Sequence, residues 1–228
     1  MKLVVIEGLD GAGKSTQMEM LRKYLSKEGI GHEYMHFPRT ESPWFGELIS
    51  RFLRGEFGTA ASVDPYLVAI LYAGDRNDAS SVLKRWLSEG RLVLLDRYTY
   101  SNIAYQCAKL SEKSQRHRLR KWITELEFDH FGIPVPDLNI FLDVPFSFTE
   151  RKLKASRTGT DRSYLNGSSD VHEADTEFQR RVRDVYIDTA ADDPRLTIVN
   201  CSDDKGKMLS PGEVFSKIEM LLKAKKII

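Results

Sequence analysis

Apolar positions along the chain alternate between short continuous runs and longer stretches with helical spacing. The short runs are typical of buried strands, and they are Leu3–Ile6, Glu33–Phe37, Arg91–Asp96, Leu138–Asp143 and Leu196–Asn200. The longer stretches predict one helix directly after the first strand and the glycines that follow it. They predict further helices at Trp44–Leu53, Pro65–Glu89, Glu112–Phe131, Phe146–Ala155 and Glu173–Ala190, and a last helix from Ser210 onward. Strands that alternate with helices in this way predict a parallel sheet.

The predicted fold is therefore α/β, with five parallel strands and helices on both faces of the sheet. Ligands of such sheets bind at the carboxyl ends of the strands. The sequence contains no internal repeat or linker, which predicts a single domain over residues 1–228. The stretch Ser156–Asp170 is rich in Gly, Ser, Thr, Arg and Asp, and it predicts a mobile loop.

Composition excludes several classes of function. The 228 residues carry a net charge of +1, so there is no electrostatic argument for binding nucleic acid or an anionic membrane. No apolar run approaches membrane-spanning length. Cys107 and Cys201 are far apart and lack the spacing of a metal site. Two free thiols indicate a reducing compartment, and we expect a cytoplasmic enzyme.

The first candidate for chemistry is a glycine-rich segment, Gly8-Leu9-Asp10-Gly11-Ala12-Gly13-Lys14-Ser15, which lies between a predicted strand and a predicted helix. This arrangement is typical of a phosphate-binding loop, or P-loop, whose backbone N–H groups surround a polyphosphate. Lys14 would then contact the β- and γ-phosphates, and Ser15 would bind magnesium. The alternative is an ordinary glycine turn.

The second candidate is the end of the third predicted strand, where Asp96 is followed by Arg97. In P-loop enzymes a carboxylate in this place steadies magnesium and its waters. The planar guanidinium of Arg97 suits bidentate phosphate binding. The alternative for these two residues is a surface ion pair.

Three segments resemble the thymidylate kinase family, and they follow one another in the family's order. They are Ile6–Gln17, Asp96–Gln106 and Pro136–Pro145. The resemblance implies a P-loop NTPase-type three-layer sandwich that transfers the γ-phosphoryl group of ATP to dTMP, giving dTDP and ADP. It also implies magnesium as the cofactor, a homodimer, and a mobile lid at about residues 152–172.

The same resemblance implies roles for residues of the P-loop and the lid. Those that bind ATP are Gly8, Leu9, Asp10, Gly11, Ala12, Gly13, Lys14, Ser15, Thr16 and Arg157. Those that bind magnesium are Asp10, Ser15 and Asp96. Those with catalytic roles are Asp10, Lys14, Arg97, Arg157 and Arg162.

For the acceptor nucleotide, the family pattern implies contacts from Asp10, Arg39, Tyr72, Arg76, Arg97, Ser101, Asn102 and Tyr105. Arg39 would bind the phosphate, Tyr72 would stack on thymine, and Arg76 would donate to its O4 atom. Tyr105 would pack under the sugar and exclude a 2′-hydroxyl. The alternatives are a solvated charge for Arg39 and simple packing for both tyrosines.

The lid is expected to supply an arginine that the P-loop lacks. Some members of the family carry an arginine at the position of Gly11, which has no side chain. The lid residues Arg157 and Arg162 are therefore the expected source of the cation that stabilises the transferring phosphoryl group. The alternative is that these charges form a solvated helix end.

The sequence leaves two other functions open. Another P-loop nucleoside or nucleotide kinase would share the phosphate loop but not Tyr72, Arg76 and Tyr105. A GTP-binding switch protein would require an Asn-Lys-x-Asp element, which the sequence does not contain.

Overall fold

Five parallel strands form the centre of the molecule. The computed structural model describes residues 2–154 and 175–228. The strands are β1 (Lys2–Gly8), β2 (His32–His36), β3 (Leu92–Asp96), β4 (Leu138–Asp143) and β5 (Leu196–Asn200). Every predicted strand is present, with bounds that differ from the expected ones by at most two residues.

Helices connect the strands. Within the described residues they are α1 (Lys14–Lys27), α2 (Phe45–Leu53), α3 (Pro65–Ser88), α4 (Thr99–Cys107), α5 (Lys113–Thr124), α6 (Phe146–Lys154), α7 (Thr176–Asp192) and α8 (Pro211–Ala224). Helix α5 continues into a π-helical turn, Glu125–His130, where the sequence predicts one uninterrupted helix. A capping box formed by Ser210 and Glu213 starts α8, with Pro211 as the first residue of the helix.

Helix α4 is the element that the sequence pattern does not predict. Eight of its nine residues are buried, so the helix has no polar face to give a 3.6-residue period. Its sequence also contains Thr, Ser, Asn and two tyrosines, which have modest helix propensity. Packing against the rest of the protein therefore determines this helix.

The strands lie in the order β2-β3-β1-β4-β5, and all four pairings are parallel. Side chains of β1 alternate between two faces. Val4 and Ile6 join the larger core with α1, and Leu3 and Val5 join a smaller core with Leu83 of α3. The prediction of an α/β fold with a five-stranded parallel sheet and helices on both faces is confirmed.

Other expectations are only partly covered by the described residues. Most of the predicted lid, including residues 155–172, lies outside them, so the single domain over 1–228 stays a prediction. Cys107 and Cys201 are both buried and free. No helix in the described parts of the chain is long and apolar enough to cross a membrane.

Asp193 ties the start of β5 to helix α4. Its carboxylate accepts hydrogen bonds from the Tyr100 hydroxyl at 2.6 Å and from the Arg195 guanidinium at 3.0 and 2.9 Å. Burial alone would raise the pKa of Asp193. The hydrogen bonds from Arg195 and Tyr100 outweigh this effect and lower the pKa to about 2.

We expect Asp193→Asn to destabilise the protein near neutral pH, by roughly 1.5–3 kcal/mol if one charged hydrogen bond is lost. A carboxylate with a lowered pKa in the folded state stabilises the protein above its unfolded pKa, and that contribution disappears as the pH falls toward 2. The difference between the urea unfolding midpoints of wild type and variant should therefore be largest at about pH 6 and clearly smaller at about pH 2.5. A difference that is equal at both pH values would contradict the role of the charged form.

Candidate active site

The segment between β1 and α1 has the geometry of a phosphate-binding loop. Gly11 and Gly13 have φ angles of 78° and 86°, a left-handed conformation that glycine adopts without strain from a Cβ atom. Gly13 precedes α1 and provides no side-chain cap, so the N–H groups of the first turn remain available to an anion. A Cβ atom at Gly11 would lie 2.9 Å from Cβ of Lys152, so α6 packs directly against the loop.

Lys14, the first residue of α1, turns back over the loop. Its Nζ donates to the carbonyl oxygens of Gly8, at 3.3 Å, and Leu9, at 3.0 Å. Burial and the nearby charge of Arg97 lower the pKa of Lys14 to about 8, and an anionic phosphate beside it would raise that pKa again. The next two residues, Ser15 and Thr16, are exposed.

Asp96 ends β3 between the ends of β1 and β2, opposite Ile6 and His36. Its Oδ2 lies 3.5 Å from Nδ1 of His36, whereas its buried Oδ1 has no hydrogen-bond partner among the described residues. Burial alone would raise the pKa of Asp96, but the hydrogen bond from His36 and the charge of Lys14 lower it. The carboxylate is therefore available as an anion.

The donor set around Asp96 fits magnesium. A buried carboxylate oxygen without a donor is costly, and a cation or a water bound to one would satisfy it. In residues 2–154 and 175–228 no group of three or more His, Cys, Asp or Glu residues could hold a metal without help. Magnesium in kinases is bound by one or two carboxylates together with the phosphates of the substrate, so it needs no such group.

Arg97, Asp10 and Tyr105 form one hydrogen-bonded cluster. Arg97 has a φ angle of 65°, which is strained for a residue with a side chain and typical of functional sites. Its Nη2 donates to Asp10 at 2.6 Å and to the Tyr105 hydroxyl at 3.4 Å. That hydroxyl donates to the second Asp10 oxygen at 2.7 Å. The cluster joins the P-loop to β3 and α4.

Glu7 is a buried carboxylate under this cluster. It accepts hydrogen bonds from the backbone N–H of Tyr98 at 2.9 Å and of Ser101 at 3.2 Å, and also from the Ser101 hydroxyl. The Tyr186 hydroxyl on α7 donates to it at 2.9 Å. Burial raises the pKa of Glu7, and the hydrogen bonds from Ser101 and Tyr186 and the charge of Arg97 oppose that shift. The hydroxyl of Ser101 is thus turned toward Glu7.

Arg39, which follows β2, is fixed by a buried carboxylate of α3. Asp75 accepts from the backbone N–H of Arg39 and from its Nε, both at 2.9 Å. Nη2 of Arg39 donates to the backbone oxygen of Asp75 at 2.9 Å and to Asp78 at 2.6 Å. The side chain keeps 22% of its surface exposed, so Arg39 is accessible to a ligand while its orientation is set.

Three further predicted residues lie on α3 and α4. Tyr72 is half-buried and packs against the small core of α2 and α3. Arg76 is only 2% exposed, and its Nε and Nη2 donate to Glu127 at 2.7 and 2.5 Å. Nδ2 of Asn102 donates to the same carboxylate at 3.0 Å. The structure thus brings Arg76 and Asn102 together, through a residue that the sequence analysis does not single out.

Sequence reasoning misses the carboxylates that orient the site: Glu7, Asp75 and Glu127, all 0% exposed. A signal exists for Glu7, because a charged residue at the end of an apolar strand is buried and needs partners. Asp75 lies beside Arg76 on a long helix, and no pattern in the surrounding sequence indicates that its side chain is buried. The lid arginines Arg157 and Arg162 lie outside the described residues.

Comparisons with known proteins all give one family. A family model described as "Thymidylate kinase" matches residues 6–209. The thymidylate kinase of Mycobacterium tuberculosis is 32% identical over 217 residues, covering 93% of this chain and 99% of that protein. A probable thymidylate kinase of Thermococcus gammatolerans is 33% identical over 207 residues and covers 88% of each chain.

A solved structure gives the same result for the fold. The thymidylate kinase of Candida albicans, whose structure is described as revealing the origin of broad substrate specificity, superposes with a TM-score of 0.71. It is 26% identical in sequence, and the match covers 99% of this chain and 92% of that one. The similarity therefore extends over the P-loop, the sheet and the helices that carry the acceptor-side residues.

Proposed function

The chain belongs to the thymidylate kinase family, whose reaction is the ATP-dependent phosphorylation of dTMP, and we propose that the residues at the carboxyl edge of its sheet carry out this reaction. The observation that carries the proposal is the cluster of Asp10, Arg97 and Tyr105, which joins the P-loop to the residues expected at the acceptor. The comparisons give no support to another P-loop kinase or a GTP-binding switch.

On the donor side, the P-loop binds the phosphates of ATP. Backbone N–H groups of the loop and of the first turn of α1 donate to the phosphate oxygens, and Lys14 exchanges its carbonyl partners for the β- and γ-phosphates. Magnesium would be held by Ser15, Asp96 and Asp10, and it would neutralise the charge that develops on the phosphates. Thr16 is the last of the P-loop residues that bind ATP in this proposal.

On the acceptor side, Arg39 and Arg97 bind the phosphate of dTMP. Asp75 and Asp10 hold these two guanidinium groups in place before the nucleotide arrives, which reduces the entropy lost on binding. Tyr72 stacks on the base. The remaining residues, Arg76, Ser101, Asn102 and Tyr105, line the base and the sugar.

Phosphoryl transfer spreads negative charge over the transferring oxygens. The P-loop cannot place a side chain at Gly11, and Lys152 packs against that position. We therefore assign stabilisation of this charge to Arg157 and Arg162 of the lid, which would also exclude water from ATP.

The proposal includes a homodimer in the cytoplasm. Support for the dimer comes from α3, where Tyr66, Leu67 and Ile70 are 37%, 63% and 41% exposed and lie on one side of the helix. We expect Leu67→Glu to shift the protein toward monomer in sedimentation equilibrium. A wild-type protein that sediments as a monomer would contradict the dimer and leave the kinase reaction unaffected.

The reaction is tested by incubating the protein with ATP, magnesium and a panel of nucleoside monophosphates while ADP is measured. We expect turnover with dTMP, and Lys14→Ala should lower it at least about 10²–10³-fold because a cation beside the transferring group is lost. In single-turnover measurements Arg162→Ala should also slow transfer, with a smaller change in nucleotide affinity.

Lys23→Ala is the matched control, since Lys23 is an exposed lysine on the same helix that pairs with Glu19. It should leave turnover unchanged. A folded Lys14→Ala protein with native turnover would remove the P-loop assignment, and GTP hydrolysis without any acceptor would remove the proposed function.

Two substitutions at Tyr105 distinguish the role of its ring from the role of its hydroxyl. Tyr105→Phe keeps the ring but removes the hydroxyl between Asp10 and Arg97, so kcat should fall by about 10-fold or more, as for one charged hydrogen bond. The ratio of kcat/KM for dTMP to that for its ribonucleotide analogue should stay unchanged. Tyr105→Ala should lower this ratio. If both variants lower it equally, the ring is not what excludes the 2′-hydroxyl.

A further inference from the structure

Glu127 is a buried carboxylate that the transfer of a phosphoryl group does not use. It lies on the π-helical turn that follows α5 and is 0% exposed. Turns of this kind occur frequently at functional sites. A buried carboxylate far from the phosphates needs a physical account, because burying a charge is costly unless it is fully hydrogen-bonded.

Four donors saturate this carboxylate. Arg76 donates through Nε at 2.7 Å and Nη2 at 2.5 Å, in the parallel bidentate geometry that suits a guanidinium. The Thr99 hydroxyl donates at 2.8 Å and Nδ2 of Asn102 at 3.0 Å. A carboxylate has about four acceptor sites. Glu127 therefore holds one side chain of α3 and two of α4 in a single arrangement.

The same contacts fix which atom of the Asn102 amide is left without a partner among the described residues. Nδ2 donates both of its hydrogens, one to the carbonyl oxygen of Ala69 at 3.0 Å and one to Glu127. Both partners are oxygen acceptors, so the amide cannot turn over without losing both bonds. The buried Oδ1 has no hydrogen-bond partner among the described residues. Asn102 is thus held as an acceptor.

Arg76 is held as the matching donor. A guanidinium carries N–H donors and no acceptor. Glu127 accepts from Nε and Nη2 of Arg76, so Nη1 is the nitrogen that does not donate to this carboxylate. A donor from Arg76 beside an acceptor from Asn102 is complementary to a base edge with an acceptor beside a donor. Thymine presents this order as O4 and N3–H. Cytosine presents the reverse order, an amino donor beside a ring nitrogen acceptor.

We propose that Glu127 is a specificity-determining positioning residue, which selects a 4-oxopyrimidine over a 4-aminopyrimidine by holding Arg76 as donor and Asn102 as acceptor. This proposal rests on the proposed function, in which these two residues read the base. Glu127 itself does not touch the substrate. A site with fixed hydrogen-bonding groups rejects a base that leaves them unpaired much more strongly than a site that depends on shape.

The test compares Glu127→Gln with Glu127→Asp, using kcat/KM for dTMP, dCMP and dUMP. A glutamine has the same shape but offers one acceptor oxygen instead of two, so it cannot accept from Nε and Nη2 of Arg76 and from Nδ2 of Asn102 together. Arg76 and Asn102 are then no longer held in one arrangement, and the ratio of dTMP to dCMP should fall at least about 30-fold. An aspartate is shorter but remains an acceptor, so it should keep most of this ratio. The ratio of dTMP to dUMP should not change, because both bases have a 4-oxo edge.

These expectations differ from those of a merely structural role, for which the isosteric glutamine would be the milder substitution. Asp193→Asn is the matched control, because Asp193 is a buried carboxylate that pairs with Arg195 and Tyr100. It should leave all ratios and the KM for ATP unchanged. Circular dichroism and thermal unfolding establish that each variant is folded.

Retention of the dTMP preference in Glu127→Gln, or an equal loss in both variants, would overturn the proposal. If Glu127→Gln does not fold, a folded Glu127→Asp protein that uses dCMP as well as dTMP would also overturn it. A wild-type protein that turns over dTMP and dCMP equally refutes the selection while leaving the kinase reaction intact. A wild-type protein with no turnover of dTMP refutes the proposed function instead.

Discussion

Charged side chains at the carboxyl edge of the sheet are removed from bulk water, and each must find a partner there. Glu7 is the penultimate residue of β1 and Asp96 is the last residue of β3, and both are buried, with the charges of Lys14 and Arg97 close by. An unpaired buried charge costs several kcal/mol, roughly the margin by which a domain is stable. Glu7 therefore takes its donors from α4 and α7, and the groups that form the site also hold the helices against the sheet.

The same requirement organises the arginines on the acceptor side. Arg39 is bound by Asp75, and Arg76 by Glu127, so neither side chain is free to rotate before a nucleotide binds. An arginine that is already oriented loses less entropy when it meets a phosphate or a base. The partner carboxylates reduce the local positive charge, which limits attraction for unrelated anions. Orientation is gained at the expense of some electrostatic attraction.

The two halves of the site are built differently. The P-loop depends on backbone N–H groups and on two glycines with positive φ angles, and any protein with this loop can bind phosphate in the same way. The acceptor side depends on side chains from α3, α4 and the turn after α5. In the proposed function, base selectivity therefore depends on how these helices pack, and phosphate binding depends on the loop between β1 and α1.

The sequence by itself determined the five strands, the P-loop and the positions of Asp96 and Arg97, because short apolar runs and glycine patterns are local properties. It did not indicate α4, whose buried, polar-containing sequence has no helical period. It also gave no partner for Arg76, since Glu127 lies 51 residues away, or for Glu7, whose partner Tyr186 is 179 residues distant. Only the tertiary structure decided these pairings, because they depend on how helices pack around the sheet, and burial then makes each pairing obligatory.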